Sequence, residues 1–254
     1  MMPITPAATK EAELTFGDGA RALFGGVRYV MGSPSVWPLA IVPVLMCIAT
    51  VTACTWAGYS FGADALLPHL PTGGVAGSVL KVLADVLLFV LCLIVGLVVG
   101  LSLAQPLSAP ALDALAKRRA RALGVSNFTE SGPAASVFRS LRVVSLALLV
   151  GLPILLALSL ITLLVPPAAA LTLPAKFLVA SWLATWDVFD YAFGLGALGV
   201  RERLAWLSRH GMAAFAFGLA LAAVALIPGL GLFVLPMGVA GATELWAKTQ
   251  ARGP

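Results

Sequence analysis

Charged residues are scarce in this chain of 254 residues, in which 16 are Lys or Arg and 11 are Asp or Glu, together 11% of the sequence. An ordinary soluble domain has about 25% charged residues. Because 60% of the residues are hydrophobic, too little polar surface remains to cover a water-soluble globule. These shortages argue against a soluble enzyme, a nucleic-acid-binding protein and a disordered chain. They predict a polytopic membrane protein with no nucleic-acid partner.

Cysteine and histidine are also rare. The three cysteines, Cys47, Cys54 and Cys92, all lie in apolar stretches, so we expect small buried side chains rather than disulfides. The two histidines lie in separate loops and offer no paired metal ligands. The sequence contains no phosphate-binding loop and no GxSxG or HExxH motif. We therefore predict no enzyme activity, no cofactor and no metal site.

Long stretches without charge organise the chain. A helix needs about 20 apolar residues to cross the hydrocarbon of a bilayer, and several stretches exceed that length. They predict spans at about 38–60, 83–103, 143–165 and 171–199, followed by a hairpin over 211–246. We expect residues 15–247 to form a single membrane domain between a disordered N-terminal tail, residues 1–14, and a C-terminal tail, residues 248–254.

Proline and glycine interrupt the last apolar regions. Pro166 and Pro167 end the third span, and Pro228, Gly229 and Gly231 lie in the middle of the final apolar stretch. Because such a density of proline and glycine breaks a helix, we predict two short limbs with the second helix starting at Leu232. The last two hairpins either cross the membrane fully or insert part way.

The segment before the first span has an amphipathic pattern. On a helix, Phe16, Leu23, Phe24 and Val27 share a face that excludes the nearby arginines. This pattern predicts a short helix on the membrane surface. The predicted fold is therefore an all-α integral membrane protein, in which an amphipathic surface helix precedes long spanning helices and Pro/Gly-broken helical hairpins.

The distribution of basic residues predicts the orientation. The loop 103–142 holds six Lys or Arg residues and the loop 201–210 holds three, whereas the intervening loops hold one each. Since cytoplasmic loops are enriched in Lys and Arg, we place both basic loops and both termini in the cytoplasm.

Three segments together resemble a known family. They are SPSVWPLAIVP at residues 33–43, DYAF at 190–193 and, most specifically, IPGLGLFVLPMGVAGATELW at 227–246. They resemble the CysZ-type sulfate permeases, a family that includes the etoposide-induced membrane proteins, in order from Phe16 to Trp246. The resemblance implies an all-α fold with partly inserted hairpins, homo-oligomeric assembly and, in the bacterial branch, sulfate uptake across the inner membrane. The implied partners are the lipid bilayer and a small inorganic anion.

One segment departs from the family pattern. Where the sulfate permeases read Pro-Gly-Leu-Arg-Arg and bind sulfate, this chain reads Pro-Ser-Val-Trp-Pro over residues 34–38. Charge-assisted hydrogen bonds from arginine are among the strongest contacts to an oxyanion, so the missing arginines predict weak sulfate binding. The remaining candidates for anion binding at this entrance are Arg28, Ser33 and Ser35.

The predicted break in the last hairpin offers a second candidate anion site. A helix that restarts inside a membrane has unpaired N–H groups at its beginning, which can face an anion. The amides of Gly229 and Gly231 would supply these donors. The alternative is a plain turn between two packed limbs.

Charged residues near the apolar segments need partners. Asp187 and Asp190, with Tyr191, lie in an apolar helix, where a carboxylate is costly unless it is paired or hydrated. Three roles stay open for them: a structural one, with pairing to Arg201 or Arg203, a polar pathway, and catalysis. We expect Glu244 to be a solvated interfacial charge.

Two functional hypotheses follow from these residues. The first is a membrane permease or channel for a small anion, related to the sulfate permeases by resemblance. The second is a membrane scaffold or assembly factor that does not transport, which the missing arginines and the scarcity of charge within the spans favour.

Overall fold

The computed structural model describes residues 14–70, 73–126, 128, 132–227 and 230–250, and within these ranges every regular element is helical. Four short 3₁₀ turns join or precede the α-helices, at Pro34–Val36, Leu67–His69, Pro166–Ala168 and Leu230–Phe233. The helices in these ranges are α1 (Phe16–Gly32), α2 (Trp37–Leu66), α3 (Gly74–Ala122), α4 (Pro133–Leu164), α5 (Ala169–Leu195), α6 (Val200–Arg209), α7 (Gly211–Ala225) and α8 (Val234–Gln250).

Four helical stretches of the described chain are long and apolar enough to cross a membrane. A fifth results if α6 and α7, which meet at 90°, count as one bent span. The longest, α3, has 49 residues and at 1.5 Å per residue measures about 73 Å, more than twice the roughly 30 Å hydrocarbon core. By length it exceeds what one perpendicular crossing needs. The predicted all-α integral membrane fold is confirmed.

The chain divides into two compact units, residues 41–108 in one and the described parts of residues 1–40 and 109–254 in the other. The single membrane domain expected over 15–247 stays a prediction. Of the predicted tails, residues 1–13 and 251–254 lie outside the described residues. Leu14 is buried, and Lys248 belongs to α8.

The smaller unit is an antiparallel pair formed by α2 and α3. Gly96 and Gly100 of α3 face α2 so closely that a Cβ added at Gly100 would lie 2.5 Å from Val51 Cγ2. The hydroxyl of Thr50 donates a hydrogen bond to the Gly100 carbonyl across 3.1 Å. Small residues four apart allow such a close approach of helix backbones in a membrane.

In the larger unit, α1 packs against α7 and α8 through its small residues. A Cβ added at Gly26 would lie 2.5 Å from the backbone nitrogen of Gly241 on α8, so only glycine fits. The predicted helix is present, and the contact of its apolar face with the membrane surface stays a prediction. Leu23 is fully buried, whereas Phe16 and Phe24 are 49% and 64% exposed. On the side of α1 that faces α7 and α8, the backbones of those helices lie too close to accommodate large side chains.

The last hairpin is interrupted where the sequence predicts. Helix α7 ends at Ala225, the 3₁₀ turn Leu230–Phe233 follows, and α8 begins at Val234, two residues after the predicted Leu232. Pro228 and Gly229 lie outside the described residues. The break itself is confirmed, while the depth to which the limbs enter the membrane stays a prediction.

Candidate functional site

A buried carboxylate on α5 connects three helices of the larger unit. Asp190 is only 2% exposed, and it accepts hydrogen bonds from Arg139 of α4, with Nε 3.1 Å from Oδ2, and from Nη1 of Arg203 of α6 to Oδ1. Arg139 also donates from Nη2 to Oδ1 of Asp113 on α3 across 2.6 Å. A carboxylate in an apolar helix thus has two cationic partners, as the cost of burying a charge requires.

The turn after α5 brings Arg203 to this carboxylate. Ala197 adopts a left-handed conformation with φ of 50°, and the amide of Leu198 donates to the Phe193 carbonyl, so α5 ends and α6 begins a few residues later. Arg203 Nε also donates to the carbonyl of Leu198 across 2.9 Å. The carbonyl of Leu198 and the carboxylate of Asp190 together hold the guanidinium of Arg203 at a fixed position.

A cavity of about 200 Å³ lies beside these ion pairs. Three of its lining residues are arginines, and the others are apolar residues or backbone. The full lining is Arg139, Arg142, Val143, Leu146, Trp186, Leu198, Gly199, Val200 and Arg203. Because apolar walls lower the local dielectric constant, guanidinium groups act more strongly on an anion here than in open water.

The other predicted buried polar residues lie near this cavity but do not line it. Asp187 is close to the cavity-lining Trp186 in sequence, and its Oδ1 is buried with no hydrogen-bond partner in the described part of the chain. Tyr191 is 1% exposed and belongs to the hydrophobic core. Of the two arginines considered as partners for the aspartates, the structure brings Arg203 to Asp190.

The predicted entrance segment is held in place by α3. Arg28 and Ser35 are exposed and Ser33 is half-buried. The carbonyl of Ser35 accepts a hydrogen bond from Nη1 of Arg118 across 2.6 Å, and Trp37 Nε1 donates to the carbonyl of Val30 across 3.0 Å. An arginine distant in sequence therefore contacts the segment from which the family's arginines are missing.

Of the two candidate amides of the hairpin, that of Gly231 lies in the described part of the chain. Gly229 lies outside the described residues. The amide of Gly231 donates to the carbonyl of Ile227 across 3.3 Å, and a Cβ added there would lie 3.1 Å from the carbonyl oxygen of Ala225. The Gly231 amide is thus engaged within the turn.

Glu244 corrects one prediction. Its side chain is only 15% exposed, and it pairs with Arg119, whose Nη2 lies 2.5 Å from Oε2, and with Lys248 at 3.4 Å. The prediction of a solvated charge was wrong, because Gly25 of α1 leaves space for this carboxylate. Arg119 also lies over the ring of Tyr29, 4.5 Å from its centroid, a cation–π contact.

Sequence reasoning missed the arginines of the cavity. In the sequence analysis, Arg139 and Arg142 were used only to orient the basic loops, and Arg203 was considered only as a partner for the aspartates. One available signal is that Arg139 and Arg142 are three positions apart at the start of an apolar helix, so they share a face. Nothing in the sequence alone places Arg203 beside them.

Comparison with protein families gives one match over most of the chain. Residues 22–236 match the family model described as "Sulfate transporter CysZ/Etoposide-induced protein 2.4".

Curated relatives match over shorter stretches. The chain is 31% identical over 86 residues to the sulfate transporter CysZ of Pseudomonas fluorescens (strain SBW25), covering 34% of each chain. It is 34% identical over 99 residues to the sulfate transporter CysZ of Vibrio cholerae serotype O1 (strain O395), covering 37% of this chain and 40% of the relative. The matched stretches thus span about a third of the length of these relatives.

Proposed function

Because this chain belongs to the sulfate transporter CysZ/etoposide-induced protein 2.4 family, we propose that it is a membrane permease or channel for a small anion. The observation that carries the proposal is the cavity lined by Arg139, Arg142 and Arg203. We place the protein in the bacterial inner membrane as a homo-oligomer with both termini in the cytoplasm, as the basic loops and the family suggest.

In the proposed mechanism, guanidinium and backbone N–H groups replace part of the anion's hydration shell. A conducting site must bind its ion well enough to admit it and weakly enough to release it. Pairing of Arg139 and Arg203 with carboxylates limits their pull on the anion. Arg28, Ser33 and Ser35 at the entrance, and the amides of Gly229 and Gly231, are the further candidate ligands along the path.

Radiolabelled sulfate uptake into proteoliposomes tests this proposal. We expect time-dependent uptake that protein-free liposomes lack and that excess unlabelled sulfate reduces. Because the missing arginines at residues 34–38 predict weak sulfate binding, nitrate and phosphate should also be tried as competitors and, labelled, as solutes. The absence of uptake for all three ions would reject the permease.

The alternative is a membrane scaffold or assembly factor without transport. It is favoured by the sequence Pro-Ser-Val-Trp-Pro at residues 34–38, which lacks the two arginines of the family's sulfate-binding segment. A scaffold predicts no anion flux but a stable complex with another membrane protein after mild solubilisation.

A further inference from the structure

The three arginines of the cavity are not equivalent. Asp190 accepts hydrogen bonds from both Arg139 and Arg203, and Asp113 accepts a second one from Arg139. These two guanidinium groups are therefore compensated and fixed as parts of the wall. Within the described residues, the structure pairs no carboxylate with Arg142, although it lies on the same helix face as Arg139.

We propose that Arg142 is the direct ligand for an anion in this cavity. The inference rests on the proposed function for its physiological meaning, but the binding site itself can be tested without transport. A guanidinium presents a planar fork of N–H donors that matches two oxygens of one oxyanion. A halide has no pair of acceptor atoms to fill that fork.

The lining of the cavity also includes the beginning of α6, at Gly199 and Val200. The first amides of a helix have no partner within the helix and carry partial positive charge. Glu202 reaches back to this end, and its Oε2 accepts a hydrogen bond from the Gly199 amide across 2.7 Å. The carboxylate of Glu202 thus uses a donor that an anion in the cavity would need, and its charge opposes the anion.

The size of the cavity suits a partly hydrated ion. At about 30 Å³ per water molecule, a volume of about 200 Å³ holds roughly six waters. A small oxyanion therefore fits together with several of its waters. Contact with Arg142 then replaces only part of the hydration shell, which keeps the binding reversible.

Trp186 lines the cavity and provides an optical signal. The 254-residue chain in detergent micelles would be titrated at constant ionic strength by replacing chloride with sulfate or with nitrate. We expect a saturable change in tryptophan fluorescence. The Trp186→Phe variant should lose this change and keep the binding heat measured by calorimetry.

Four variants test the roles of the charges. Because a hydrogen bond to a charged group contributes strongly to the binding free energy of an anion, Arg142→Gln should weaken binding about tenfold to hundredfold. Arg142→Lys keeps the charge without the fork and should not restore the affinity. Glu202→Gln keeps a capping oxygen but removes the opposing charge, so binding should tighten about two- to fivefold. Arg201→Gln, an exposed site outside the lining, is the matched control and should change the affinity less than about twofold.

Several results would overturn the inference. They are an unchanged affinity in Arg142→Gln, full rescue by Arg142→Lys, an equal loss in Arg201→Gln, or no saturable binding of either oxyanion. Anion uptake that Arg142→Gln leaves unaltered would also overturn it while leaving the permease intact. Binding that depends on Arg142, in a protein that transports none of the three ions, would support the site and reject the permease.

Discussion

Arg139 and Asp190 are 51 positions apart in the sequence, and in the folded chain Arg139 Nε lies 3.1 Å from Asp190 Oδ2. The same guanidinium reaches Asp113 of α3, so one arginine of α4 connects carboxylates from two other helices. The pairing gives the carboxylate of Asp190 two cationic partners at a nearly inaccessible position. It also forms one wall of the cavity that we propose for the anion.

The first prediction concerns this carboxylate. Asp190→Asn removes the negative charge that two arginines share, which takes from Arg203 its carboxylate partner within the described residues and leaves Arg139 with Asp113 alone. Breaking a buried ion pair from one side costs about 3–5 kcal/mol. We therefore expect a marked loss of thermal stability for the variant in detergent, measured by unfolding that is followed through tryptophan fluorescence.

Asp187 is the matched control for that change. It lies on the same helix, and its Oδ1 has no hydrogen-bond partner in the described part of the chain. Asp187→Asn replaces a buried carboxyl group whose Oδ1 has no hydrogen-bond partner in the described part of the chain, and it leaves no arginine unpaired, so its stability should equal or exceed that of the wild type. A loss as large as that of Asp190→Asn would mean that Asp187 has a charged partner of its own.

The sequence predicted the class of fold because composition and the length of apolar runs are sufficient for it. It also located the break near Pro228, since proline and glycine act locally. The ion pairs could not be predicted in full, because Arg139 and Arg203 meet Asp190 only after three helices pack together. The prediction of a solvated Glu244 was wrong for the same reason, since space for its carboxylate depends on Gly25 of α1.

A second prediction concerns the contact between α1 and α8. Gly26→Ala would place a methyl group against the backbone of Met237 and Gly241. Neither backbone can move without separating the helices, so overpacking should cost about 1–3 kcal/mol or more. Gly32→Ala, at the end of the same helix with open space around it, should be neutral or stabilising by up to about 1 kcal/mol. Equal melting temperatures for the two variants would contradict the close packing.

A third prediction concerns acid stability at the start of α1. The Thr15 hydroxyl, 2.7 Å from Asp18 Oδ2, and the Thr15 amide donate to this carboxylate and hold its pKa below the usual value. The stabilisation is therefore complete above the unfolded pKa of about 3.9 and is lost as the pH falls through the lower folded value.

Measured stabilities of the wild type and Asp18→Asn test this dependence. The wild type should be more stable by about 0.5–1 kcal/mol at neutral pH, a typical capping contribution, and the difference should shrink below about pH 4. Asp64→Asn, at an exposed acid, is the control and should show no such difference. A gap between wild type and Asp18→Asn that grows on acidification would have the wrong sign.

A fourth prediction tests the orientation. In a background with Cys47, Cys54 and Cys92 replaced by alanine, single cysteines at Ser126 and Gly73 should be labelled from opposite sides of the membrane. An impermeant maleimide added to intact cells should reach Gly73→Cys only, because the basic loop containing Ser126 is predicted to be cytoplasmic. Labelling of Ser126→Cys alone would reverse the orientation, and labelling of both would indicate dual insertion.

The last prediction concerns the segment in which the family's arginines are missing. Trp37→Arg with Pro38→Arg, made in an Arg142→Gln background so that the cavity contributes little, should create sulfate binding. Two charge-assisted hydrogen bonds would raise the affinity by on the order of a hundredfold.

The double change also removes the hydrogen bond from Trp37 to Val30, so the thermal stability must be compared in parallel. The matched control, Trp37→Gln with Pro38→Gln, loses the same contact without gaining charge. A folded double-arginine variant that binds sulfate no better than this control, by calorimetry, would show that the substitutions at residues 37 and 38 do not determine weak sulfate binding. An arginine that takes the place of the two missing ones would then be sought at Arg118, which already donates to the Ser35 carbonyl.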